Sequence, residues 1–109
     1  MRNMSVIKIE PSTVNRNAVL TCVPISPSFG FMYEPKRRIW HVREFTDGRW
    51  KSIDARRRSF ACANILLRLA AQELEIRESD IPGEAGRLAR VMEDALSFLT
   101  QSQKMDSAA

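Results

Sequence analysis

The chain has 109 residues, 17 of them Lys or Arg and 13 Asp or Glu, with one histidine and a formal net charge of +4. That length holds one domain and excludes a two-domain enzyme, a TIM barrel or a complete dinucleotide-binding fold. A hydrophobic content of 44% is that of an ordinary globular chain and excludes wholesale disorder.

Ser5–Glu10 alternates polar and apolar residues, the pattern of a short strand. Asn17–Ile25 is rich in β-branched residues and predicts a second strand, ended by Pro24, Pro27 and Gly30. Phe31–Tyr33 predicts a short third strand. Ile39–Phe45 and Trp50–Asp54 flank Asp47-Gly48, the strongest local signal in the chain. Asp-Gly marks a tight hairpin, because glycine tolerates positive φ at low cost. A two-residue loop sets Glu44 opposite Lys51 and Asp54 opposite His41, and a three-residue loop slips the register by one. The shorter loop is preferred, because it pairs opposite charges across the strands.

Residues 55–77 predict a helix. Phe60, Ala63, Leu67, Ala70, Ala71 and Leu74 line its apolar face, and Leu66 and Leu69 widen it. So wide an arc calls for cover by both the sheet and a second helix, or by a second protomer. A break follows at residues 77–83, with Ser79 or Asp80 as cap and Pro82 in the first turn. A second helix runs to about residue 101 on Leu88, Val91, Met92, Ala95 and Leu99. The fold class is therefore α+β: an antiparallel sheet of three to five strands followed by two helices on one face. Residues 1–101 form the single domain, and 102–109 are expected as a flexible tail.

The charge is unevenly distributed. Residues 36–58 hold nine basic residues against three acidic ones, whereas residues 59–109 carry a net negative charge. The candidate binding residues are Lys36, Arg37, Arg38, His41, Arg43, Arg49, Trp50, Lys51, Arg56, Arg57 and Arg58. Cations interleaved with rings suit phosphates and bases, since Arg and Lys take the phosphate and aromatics stack the base. The same pattern also fits plain hairpin packing: Trp40 with Val42 and Ile53 in the core, and Phe45 against Trp50. Arg56-Arg57-Arg58 opens the first helix in this reading, with Asp54 as its counterweight.

Other chemistries find little support. His41 has no nucleophile and orienting acid nearby in sequence, so no catalytic residue is assigned and an enzyme is not expected. Cys22, His41 and Cys62 are spaced too widely for a zinc site, and no Gly-rich phosphate loop occurs, so neither metal nor cofactor is assigned. The two cysteines are expected as free thiols. No apolar run reaches membrane-spanning length, and Met1–Glu10 lacks a signal-peptide core, so the chain reads as cytoplasmic with no membrane partner. The acidic second helix, with Glu84, Glu93 and Asp94, does not suit a recognition helix in DNA's major groove.

Two functions remain. One is a non-enzymatic module binding nucleic acid or a nucleoprotein complex through residues 36–58. The other is an inhibitor or adaptor, of the kind phages and mobile elements carry, docking on an acidic protein surface. Homodimer formation through the first helix or the Met92, Leu96 and Leu99 region is compatible with either.

Overall fold

The computed structural model describes residues 16–108, and side-chain burial for residues 18–99. The predicted strand at Ser5–Glu10 lies outside the described residues. Eight elements follow in order: α1 (Arg16–Val19), β1 (Val23–Pro24), β2 (Phe29–Glu34), β3 (Ile39–Thr46), β4 (Arg49–Arg56), α2 (Ser59–Leu74), a 3-10 turn (Glu78–Asp80) and α3 (Ile81–Ala108). The four strands form one antiparallel sheet in the order β1-β2-β3-β4, and α2 packs on β2, β3 and β4 with α3 against α2. The chain is thus α+β, a sheet followed by two helices.

The hairpin closes as Asp47-Gly48 requires. Both residues take positive φ (53° and 78°), and Thr46 pairs Arg49, Phe45 pairs Trp50 and Glu44 pairs Lys51. Positive φ at both central positions matches the right-handed twist of the flanking strands. Farther along, the ladder departs from the simple count. A bulge between Val42 and Arg43 leaves Ile53 without a partner, so Asp54 faces Val42 and Ala55, not Asp54, faces His41.

Directly paired residues share a face of the sheet. Trp40 and Val42 lie with Tyr33 and Phe31 on the face that α2 covers, and Trp40, Val42 and Phe31 are essentially inaccessible. Phe31 meets Trp40 nearly edge-on, with centroids 5.9 Å apart, and Tyr33 lies 4.8 Å away. From the helices come Cys62, Ala63, Leu66, Leu67 and Ala70 of α2 and Ala85, Leu88, Met92 and Ala95 of α3. Sheet and second helix together therefore cover most of the wide apolar arc, leaving Phe60 and Leu69 exposed. Met92 and Leu99 are buried within the protomer, and Leu96 is partly buried against the same core, while Phe98 beside them is exposed.

Several boundaries differ from expectation. Asn17–Ile25 is not one strand. It supplies the single turn α1 and the two-residue β1, because Val19 and Val23 both turn into the core. α2 starts at Ser59 rather than Ala55, since β4 continues through Ala55-Arg56 on its ladder with β3. The buried face of α2 is Ser59, Cys62, Ala63, Leu66, Leu67 and Ala70, so Phe60 and Leu69 are exposed instead of core-facing. Ile53, pushed out by the bulge, is exposed too. α2 ends at Glu75, in the left-handed region at φ 56°, where Ile76 N–H closes on the Ala71 carbonyl at 3.0 Å. α3 remains helical to Ala108, past the predicted end near residue 101.

Candidate nucleic-acid interface

The eleven candidate residues fall in three places. Lys36, Arg37 and Arg38 occupy the turn between β2 and β3. Arg56 ends β4, with Arg57 and Arg58 between it and α2. Because Arg56 pairs with Trp40, one residue from that turn, these six cations gather at one end of the sheet. Arg49 and Lys51 sit at the opposite end beside the hairpin tip, about 20 Å away at ~3.3 Å per strand residue. His41 and Arg43 lie between and Trp50 at the hairpin end, all on the face of the sheet that α2 does not cover, with Met32, Gly30, Phe45, Ser52 and Ala55. Trp50 points away from its neighbours Arg49 and Lys51, which alternate onto the other face.

Ion pairing separates the cations further. Arg37 Nε donates to Glu34 Oε2 at 3.0 Å, Arg56 Nε to Asp54 Oδ2 at 3.3 Å, and Lys51 Nζ lies 3.6 Å from Asp47. Lys36, Arg38, Arg49, Arg57 and Arg58 make no ion pair among the described residues. Four of these five are at the basic end. Asp54 does not cap α2, as the sequence reading had allowed; it accepts from Ala55 N–H and Arg56 instead. Arg58 occupies the N-cap position without a side-chain cap hydrogen bond, and the first turn of α2 holds no acidic residue. The positive end of the α2 dipole thus adds to the charge of Arg57 and Arg58 rather than being offset.

Arg38 is held at φ 56°, a left-handed conformation that glycine adopts freely and an Arg side chain resists by ~1–2 kcal/mol. A local strain at a cation with no partner is the kind of outlier that accompanies function. Arg38→Gly is expected to stabilise the fold by about 0.5–1 kcal/mol, net of glycine's greater unfolded entropy, and to weaken anion binding. Paired thermal melts and binding titrations check both effects, and a loss of stability would contradict the strain.

On the face away from α2, His41 Nε2 meets Glu34 Oε1 at 2.9 Å. In the neutral ring this makes Nε2 the donor and Nδ1 a bare acceptor. Arg43 Nη1 donates to Ser52 Oγ at 2.8 Å. His41 Nδ1 and Arg43 Nε are buried and have no hydrogen-bond partner among the described residues. The hydrogen bond from Arg37, followed by that from His41, holds the Glu34 carboxyl below its usual range.

Cys22, remote in sequence, reaches this face. Its Sγ would lie 3.0 Å from a Cβ placed on Gly30, beside Arg43. Nothing in the spacing of Cys22 signalled that neighbourhood, which depends on β1 folding back onto β2. Burial pushes its thiol up, with Arg43 acting the other way, so it is not poised as a thiolate nucleophile for His41. Burial likewise pushes Cys62 up to about 12. Both cysteines are free. Among the described residues no group of three His, Cys, Asp or Glu side chains could hold a metal ion, and no helix is long and apolar enough to cross a membrane.

Ser26 and Ser28 anchor the loop before β2 to α2. Ser26 Oγ donates to Glu73 Oε1 at 2.6 Å and Ser28 N–H to the same oxygen at 3.0 Å, which holds the Glu73 carboxyl below its ordinary value of 4.5. A carboxylate whose folded pKa is depressed contributes stability above the unfolded pKa and loses it as pH falls through the folded value. The fold should therefore weaken below about pH 4.5, and the neutral-to-acid drop in melting temperature should be smaller in Glu73→Ala than in wild type. An unchanged drop would mean that the Glu73 contacts do not persist in solution.

Phe45 and Trp50 end the uncovered face at the hairpin. Their rings lie 5.4 Å apart and tilted by 59°, with Phe45 44% exposed. No protein-family model, curated protein or solved structure matches the chain.

Proposed function

We propose that the protein is a small non-enzymatic module that docks on an anionic macromolecule, nucleic acid or a nucleoprotein complex, through the basic end of its sheet. One observation carries the reading. Lys36, Arg38, Arg57 and Arg58, from two segments some twenty residues apart, converge without an acidic partner among the described residues. Exposed cations gathered on one edge create the field that draws in a polyanion. Hairpin cations Arg49 and Lys51 contribute less, being distant and, for Lys51, paired. The test is a titration against labelled single- and double-stranded DNA and RNA at about 50 and 200 mM salt, in which phosphate contacts give a steep salt dependence. Absence of binding at the lower salt overturns the reading.

A second reading, an inhibitor or adaptor on an acidic protein, is favoured by β4. This eight-residue strand lies at the edge of the sheet and exposes Ile53. Its bulge and its cations, however, are devices that discourage strand addition. Failure to bind nucleic acid combined with capture of an acidic protein would favour this reading.

A further inference from the structure

We infer that the ligand is a single strand of nucleic acid laid along the β4 side of the sheet face that α2 does not cover, with bases on Phe45 and Trp50 and its phosphodiester chain running to Lys36, Arg38, Arg57 and Arg58. The inference rests on the nucleic-acid reading above and gives it a strandedness. Three observations support it.

The first is the rings. Phe45 and Trp50 lie at the hairpin end of the face that α2 leaves uncovered. Aromatic side chains stack on bases whose faces are free, and a duplex hides those faces within its own stack.

The second is the path. The rings and the basic end lie at opposite ends of β3 and β4, and the exposed residues Ser52 and Ala55 of β4 lie between them on the same face. The roughly 20 Å between ring pair and turn is the length of a few nucleotides of extended single strand. That is near the short end of the ~4–16 nucleotide footprint of small single-strand binders.

The third is the absence of a groove reader among the described residues. The exposed positions of α3 between residues 84 and 94 include Glu93 and Asp94 beside Arg87 and Arg90, so this helix does not offer a basic face to a major groove. The tip of the hairpin, where a β-ribbon would enter a groove, bears Asp47. The strongest unpaired charge stands at one end of the sheet, where it meets a strand's backbone, rather than along a ribbon flanked by two phosphate rows.

The experiment uses the full chain. Labelled 12-nucleotide thymidine and uridine oligomers and a 12-base-pair DNA duplex are titrated at about 50 mM salt, with intrinsic tryptophan fluorescence followed in parallel. Single strands are expected to bind at least 10-fold tighter than duplex and to quench part of the emission, because Trp50 is accessible and Trp40 is buried. Trp50→Ala should weaken single-strand binding by about 10-fold or more, and Trp50→Phe, which keeps a ring, should recover most of it. Phe45→Ala provides a second variant should Trp50→Ala fold poorly. Equal affinity for the two oligomers supports the inference, and a preference between them also supports it. Duplex binding as tight as single-strand binding, unaffected by Trp50→Ala and Phe45→Ala, overturns the single-strand inference and leaves the polyanion reading standing. No binding of any probe by the folded protein overturns both.

Discussion

Exchanging Lys36, Arg38, Arg57 and Arg58 together for glutamine is expected to remove the salt-sensitive binding proposed above. Four phosphate contacts on a single strand give a slope of about −2.8 in log affinity against log salt, so wild-type affinity falls about 50-fold between 50 and 200 mM salt. The quadruple variant is nearly flat over that range, and its affinity at about 50 mM salt is lower by on the order of 10³-fold. Stability is spared. All four side chains are exposed and none forms an ion pair among the described residues, so each exchange costs less than about 0.5 kcal/mol. Exchanging Arg49 and Lys51 removes two positive charges at the far end of the hairpin and serves as the control. Binding that falls in proportion to net charge alone, wherever the charge is removed, would leave no site at the basic end.

The division of the basic window into two ends was not legible in the sequence, although the charge itself was. Residues 36–58 read as one patch because a linear count cannot see that a hairpin sends its two halves in opposite directions. The hairpin was legible: Asp47-Gly48 carries its own turn chemistry, and the two-residue loop sets Phe45 against Trp50 as observed. That Trp40 and Trp50 occupy opposite faces follows from strand alternation once the loop length is chosen. The bulge had no such signal. Nothing in the run from Arg49 to Arg56 marks Ile53 as the extra residue, and one unpaired position moved Asp54 away from His41. The start of α2 was equally silent, because no Pro, Gly or capping side chain separates Ala55 from Ser59. There the ladder to β3 decided that Arg56 belongs to the strand, and the small buried residues Cys62 and Ala63 turned Phe60 outward. The short segment at residues 17–25 has β-branched composition, yet only Val23 and Pro24 find ladder partners, on Phe31 and Gly30. Gly30 permits that approach: a Cβ there would sit 2.6 Å from the Val23 carbonyl oxygen.

Trp40→Ala carries the largest expected cost in stability. Trp40 is 1% exposed, packs edge-on against Phe31 and lies 4.8 Å from Tyr33. Truncating a buried indole removes its transfer free energy and leaves a cavity, together about 3–5 kcal/mol. A domain of this size has a net stability of roughly 5–15 kcal/mol, so the variant loses about a fifth or more of it and melts many degrees lower. Trp50→Ala is the contrasting case. Its ring is only partly buried, and its contact with Phe45 contributes about 0.5–1.5 kcal/mol beyond area burial. Denaturant titrations of the two variants should therefore differ by on the order of 1–3 kcal/mol, with Trp40→Ala the weaker fold. Binding should order them the other way: Trp40→Ala, wherever it remains folded, keeps its affinity for a single strand, and Trp50→Ala does not. A Trp40→Ala protein as stable as Trp50→Ala would mean that the covered face of β3 is not the centre of the core. The assignment of one tryptophan to folding and the other to the ligand would then fail with it.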